Sequence, residues 1–257
     1  MKLSILATAF VASAAVLVGC TTSDPAPTDA LPTGSQPVTL DPADFSTTID
    51  NPYWPMSPGT QWIYRETDGS GAEYTAIVTV TSETKKLANG IEARVVRDTL
   101  MLGDAIVEDT VDWYAQDSAG AIWYLGEQTA EFENGEIVST AGSFEAGVNG
   151  ALPGVAVPAQ PVVGMRYRQE YLKGEAEDAG MILALDELTE VPYGAFDGVL
   201  ATRDTTPLEP DVVEYKFYAP SVGPVLTLGI SGGGGREELL SVGQVDEGTA
   251  TGPLGQP

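Results

Sequence analysis

A chain of 257 residues carries 37 acidic and 12 basic side chains, a formal charge of −25, with one cysteine and no histidine. That composition excludes Ser-His-Asp and Cys-His catalysis and imidazole metal sites, and leaves oxygen donors as the main metal ligands. It offers no basic stripe for a nucleic acid, and a lone cysteine forms no internal disulfide.

Residues 1–20, MKLSILATAFVASAAVLVGC, join Lys2 to an apolar run that is short for a membrane span and ends in Gly19-Cys20. This reads as an export signal, and its end resembles the bacterial lipobox, in which the cysteine becomes the lipidated first residue. The expectation is an extracytoplasmic protein held to the membrane by a lipid on Cys20. Residues 21–48 are rich in Thr, Pro, Ser and Asp and predict a disordered tether. Residues 244–257 predict a disordered tail. The remaining 49–243 predict one globular domain with 31 acids against 11 bases.

Within that domain the pattern is all-β: ten to twelve antiparallel strands forming a curled sheet, half-barrel or barrel, because so many strands must curl or close to hide their edges. Asn89-Gly90 and Asn134-Gly135 suit type I′ turns, while Asp68 to Gly71 and Asp117 to Gly120 suit longer hairpin loops. Val148 to Gly164, with three prolines and three glycines, predicts a long loop. The run 232–235 of four glycines predicts a hairpin tip, not a phosphate loop.

The central stretch, Ile91 to Asp117, predicts two long strands about a two-residue type II′ turn at Gly103-Asp104. Counting outward sets Leu100 beside Val107, Val96 beside Val111, Arg94 beside Trp113, and Asp98 against Asp109 on one face. Two opposed carboxylates need a proton, a cation or an arginine, and a one-residue change of parity would pair Arg97 with Asp109 instead. Arg94, Arg97, Arg166 and Arg168 are the candidate neutralisers. Asp98 and Asp109, and Glu175, Glu177 and Asp178 in the 174–180 loop, are candidate Ca²⁺ ligands; the alternative is no cofactor at all. Across the Asp117 to Gly120 loop, Trp113 would pair with Tyr124 and Tyr114 with Trp123, leaving Tyr114 and Trp123 as a candidate exposed ligand surface.

IDNPYWPMSPGTQWIYRETDG (49–69), VPYGAFDGVLAT (191–202) and VVEYKFYAPSVGPVLTL (212–228) together resemble a group of bacterial secreted proteins and lipoproteins of unassigned function. Ser221 stands where that group's last motif usually has glycine. The resemblance implies a curled antiparallel sheet in the cell envelope, with no implied substrate or catalytic residue. Read from the residues alone, Pro52, Pro55 and Pro58 fix a chain path, and Trp54, Trp62 and Tyr64 plug one end of the sheet, with an aromatic ligand platform as the alternative. The leading functional expectation is a non-enzymatic, lipid-anchored binding protein for a small or apolar ligand or an envelope partner. A calcium-binding adhesion lipoprotein and a carboxylate-dependent glycan hydrolase are the alternatives.

Overall fold

The computed structural model describes residues 31–232, 234–246 and 248–257. The export signal, Cys20 and the start of the tether lie outside the described residues. A 3-10 turn at Pro42–Asp44 precedes sixteen strands. They are β1 (Phe45–Ser46), β2 (Thr60–Thr67), β3 (Glu73–Lys86), β4 (Glu92–Leu102), β5 (Ala105–Asp117), β6 (Ile122–Glu133), β7 (Glu136–Ser139) and β8 (Phe144–Glu145). There follow β9 (Leu152–Val157), β10 (Arg166–Arg168), β11 (Glu170–Tyr171), β12 (Ala179–Val191), β13 (Gly194–Thr205), β14 (Val213–Ala219), β15 (Gly223–Ser231) and β16 (Arg236–Gln244).

Hydrogen bonds join thirteen of these in the order β10-β12-β13-β14-β15-β16-β2-β3-β4-β5-β6-β9-β11, all antiparallel, as a nearly closed barrel. The two ends of that path, β10 and β11, are consecutive pieces of one extended run. Its first half pairs with β12 (Tyr167 opposite Gly180) and its second half with β9 (Glu170 opposite Pro153), so the seam closes on Gln169. Gly154 makes this approach possible: a Cβ there would lie 2.1 Å from the Gln169 backbone. The expected loop over Val148 to Gly164 therefore contains β9. Its prolines and glycines mislead because a seam strand needs bare backbone more than propensity.

Local turn chemistry accounts for most hairpins. Asn134 and Gly135 both adopt positive φ, +52° and +81°, the type I′ signature expected there. At 87–91 the turn differs from expectation: Gly90 alone is left-handed, and Leu87 N–H to Ile91 O with Gly90 N–H to Leu87 O closes a longer loop. Asp68–Ala72 and Asp117–Ala121 close the same way.

One end of the barrel is stoppered by the segment before β2. Ser221 N–H donates to Pro52 O at 2.7 Å, the Asn51 side chain donates to Gly120 O at 2.8 Å, and Trp54 lies against Tyr114 and Tyr218 with ring centroids 5.3 and 6.1 Å away. Trp62 donates its indole N–H to Val222 O at 2.8 Å and Tyr64 its hydroxyl to Pro224 O at 3.0 Å. The motifs around Asn51 and Ser221 are thus two sides of one joint, and Ser221 at φ +64° explains why glycine suits that position. Trp62→Phe is expected to lower the unfolding free energy by about 2 kcal/mol, read as a lower denaturation midpoint, through the orphaned Val222 carbonyl and the lost volume. An unchanged midpoint would show that the joint contributes little.

Both flanks expected to be loose are strapped to the barrel. Arg168, 1% exposed, donates to the carbonyls of Pro153, Gly34 and Gln36, and its own N–H bonds Pro32 O, which fixes residues 32–36. Phe45 and Ser46 pair with Asp117 and Gln116. At the other terminus the Gly252 and Pro253 carbonyls accept from Arg97, and Gly255 N–H donates to Asp109. The tether boundary at 48 and the tail boundary at 244 are corrected accordingly: low-complexity composition does not prevent ordering when a buried arginine needs carbonyl acceptors.

Candidate functional site

The pairing of β4 with β5 decides which side chains face inward. Leu102 pairs with Ala105 across Gly103-Asp104 as expected, but Val107 is a bulge: Met101 pairs with Ile106, and Leu100 with Glu108. From there the register differs by one from the sequence expectation. Thr99 opposes Asp109, Asp98 opposes Thr110, and Val96 opposes Asp112. Asp98 and Asp109 therefore face opposite sides of the sheet, and the expected pair does not form. Asp109 is fully buried on the outer side, held by Arg97 and by Thr99 at 3.0 Å. The alternative register is not realised either: Arg97 opposes Val111 and Asp109 opposes Thr99, but the bulge puts Arg97 and Asp109 on one face, where they meet as a diagonal ion pair.

The inner face lines a partly open cavity of about 760 Å³. Trp54 and Tyr64 lie toward its stoppered end, and Asp68, Val212, Gly232 and Gly234 rim the other. Glu66, Asp98, Glu108 and Asp112 project from β2, β4 and β5, while Glu170, Asp178, Glu214 and Glu237 line the remaining walls. Only two basic side chains, Lys216 and Arg236, line the same space. Arg236 pairs at 2.8 Å with Glu238, which is not among the lining residues. Lys216 lies 3.4 Å from Asp204 and 3.9 Å from Glu214. Burial opposes its charge, but Asp204 and Glu214 hold its pKa above the ordinary lysine value.

Asp98 and Asp112, on β4 and β5, have no such cation among the described residues. Asp112 and Glu127 are direct cross-strand partners, as are Glu66 and Glu237, an arrangement that sheets ordinarily avoid. The Tyr124 hydroxyl lies 2.6 Å from Asp112 and 2.7 Å from Glu127. One phenol proton cannot serve two carboxylates, so one of the acids carries a proton and donates it to the phenol oxygen. Burial, then Glu127, pushes the Asp112 carboxyl well above its ordinary range. Asp98 is raised well above 3.8 by burial and then by Asp112, and it accepts no hydrogen bond among the described residues. Burial with Asp178 lifts Glu170 to about 9, and burial with Glu66 lifts Glu237 to about 7. Asp98, Glu170 and Glu237 are half-buried, so burial is the largest cause of each shift although cavity water still reaches them.

Tyrosines complete the wall. Tyr114 and Tyr124 stack at 4.8 Å. Tyr114 and Tyr218 are 8% and 4% exposed, both line the cavity, and neither hydroxyl has a hydrogen-bond partner among the described residues.

Of the residues singled out from sequence, Trp54, Tyr64, Asp98, Tyr114 and Asp178 line this cavity. Asp109 does not, for the reason above. Glu175 is exposed, and Glu177 accepts from Gly174 N–H at 2.8 Å, so the 174–180 loop brings only Asp178 to the site. The exposed aromatic pair is corrected: a second bulge, at Leu125, opposes Tyr114 to Tyr124 and Ala115 to Trp123. Trp123 is buried elsewhere, against Phe45, with its indole donating to Asp117 at 2.8 Å. Among the candidate neutralisers only Arg97 meets an acid. Arg94 and Arg168 donate to backbone carbonyls, and Arg166 makes no ion pair among the described residues. Among the described residues no three acids converge at metal-ligand spacing. Sequence reasoning missed Glu127, Glu170, Tyr218 and Glu237; the alternation Glu214, Lys216, Tyr218 on β14 was the available signal of a polar inner face.

No protein-family model matches this chain, and no curated protein does. Among solved structures the chain is similar to one described as "a putative lipoprotein from Parabacteroides distasonis ATCC 8503", at 14% identity and a TM-score of 0.39, over 74% of this chain and 98% of that one. A likeness of that degree carries no argument about this chain's activity.

Proposed function

We propose that this is an extracytoplasmic lipoprotein, anchored through Cys20, whose barrel is a non-enzymatic binding module for a small molecule. The observation that carries the reading is the partly open cavity of about 760 Å³, within the size of small-ligand sites, with the hydroxyls of Tyr114 and Tyr218, unpartnered among the described residues, in its wall. Hydroxyls that face a cavity without protein partners are groups that a ligand or water satisfies. The signal-like segment ending at Cys20 supports the location, and residues 21–30 supply a short spacer before the strapped segment begins.

The test is native mass spectrometry of the full chain released gently from envelope membranes, compared with Ala156→Trp. Ala156 lines the cavity from β9, so a tryptophan there takes up ligand space. The expected result is a ligand mass on the wild type and none on the variant, with the ligand-free forms of both melting alike. Bare protein in both samples, or equal ligand on both, would sink the reading.

A further inference from the structure

We infer that the barrel is selective for an organic cation, a molecule with an ammonium head and an apolar or aromatic body. This rests on the small-molecule reading above and assigns its ligand class. Two features of the cavity converge on it. Asp98 and Asp112 have no basic partner among the described residues, and the cation that acts on nearby Glu237 is Lys216, itself engaged by Asp204 and Glu214, while Arg236 is engaged by Glu238. Acids crowded in this way hold protons, and an entering ammonium can take the place of those protons and gains more in a half-buried space than it would at the surface. Independently, the stoppered end is aromatic. Trp54 stands between Tyr114 and Tyr218, two largely buried rings whose hydroxyls reach the cavity's open space without a protein partner among the described residues, where a guest can bond them.

These features discriminate among ligands. An anion is rejected by the acids, because like charges in a desolvated site repel by several kcal/mol. A neutral apolar molecule fits the aromatic end but leaves the acid wall unsatisfied. A bare metal ion meets carboxylates but gains nothing from Trp54 and the tyrosines, and no three acids here stand at metal-ligand spacing among the described residues. An organic cation uses both halves: indole and phenol faces attract ammonium groups, and the acid wall supplies the counter-charge.

The experiment uses the full chain and three probes that share one ring: phenethylamine, 2-phenylethanol and phenylacetate. Binding is read by calorimetry and by the fluorescence of the native protein. Phenethylamine is expected to bind at least about tenfold more tightly than the alcohol, with no binding of phenylacetate, from the charge contribution alone. Asp98→Asn and, separately, Glu237→Gln are expected to weaken the amine by about tenfold while leaving the alcohol unchanged, which a merely misfolded variant would not do. Equal or tighter binding of the alcohol, or any binding of phenylacetate, would overturn the cation assignment and leave the small-molecule reading standing. Displacement of the amine by stoichiometric calcium chloride would overturn it in favour of a metal site. No binding of the amine overturns it as well; if native mass spectrometry also finds bare protein, the small-molecule reading falls with it.

Discussion

Asp109→Asn is expected to lower the melting temperature by on the order of 10 °C, because losing one member of a buried ion pair costs about 3–5 kcal/mol and a domain of this size shifts by about 2–4 °C per kcal/mol. Asp109 is fully buried and Arg97 is 2% exposed. Asp109 accepts from Arg97, from Thr99 and, at 2.6 Å, from Gly255 N–H, while Arg97 also donates to Gly252 O at 2.7 Å and Pro253 O at 3.0 Å. An asparagine in this place leaves the guanidinium without a counter-charge and turns an amide donor toward existing donors. Deleting residues 252–257 should cost less, since it removes two carbonyl acceptors and one N–H donor but leaves the pair intact and lets water reach it. Thermal unfolding of the three proteins checks the order. A truncation as damaging as Asp109→Asn would mean that the terminal segment, not the ion pair, holds this face of the sheet together.

The second large effect is an inverted pH dependence. Glu237 has a folded pKa of about 7 and Glu170 of about 9, raised first by burial and then by Glu66 and by Asp178 respectively, against an ordinary value of 4.5. Asp98, Asp112 and Glu127 shift in the same direction, each chiefly through burial. A group whose folded pKa is raised contributes stability that is fully present below its unfolded pKa and is lost as pH rises through the folded value. At a slope of about 1.4 kcal/mol per pH unit, Glu237 alone costs about 2 kcal/mol between about pH 5.5 and 7, before cavity water screens the figure. The decline continues toward the pKa of Glu170. Glu238 has the opposite sign: hydrogen bonds from Arg236 and Arg65 lower its pKa, so its contribution is lost as pH falls through that lowered value. The expected profile has a maximum near about pH 5, falling on both sides. Melting temperatures measured without ligand across this range test it. A maximum at or above neutrality would mean that the cavity acids are ionised and compensated by something other than protons. Phenethylamine should flatten the alkaline side, because an ammonium on the acid wall replaces the protons.

The all-β class, the antiparallel neighbours and the plugged end were legible in the sequence, because alternation, turn residues and clustered aromatics act over a few residues each. Glu133 meets Glu136 across Asn134-Gly135, and Leu102 meets Ala105 across Gly103-Asp104, as local chemistry requires. The acid excess and the missing histidine also confined any site to carboxylates and aromatics before a strand was placed.

The site itself depended on two extra residues. Val107 and Leu125 are bulges, and nothing in their own chemistry marks them: each is an ordinary strand residue, made extra by the curvature the barrel demands. Because side chains alternate with period two, one such residue sends Asp109 to Arg97 on the outside and leaves Asp98 inside with Asp112. Closure at Gly154 and Gln169 and the docking of both flanks are likewise long-range contacts between segments whose composition suggests looseness. Local propensity determined the strands of this protein; the parity of its strands, and with it which acids share the cavity, was decided only when the sheet closed on itself.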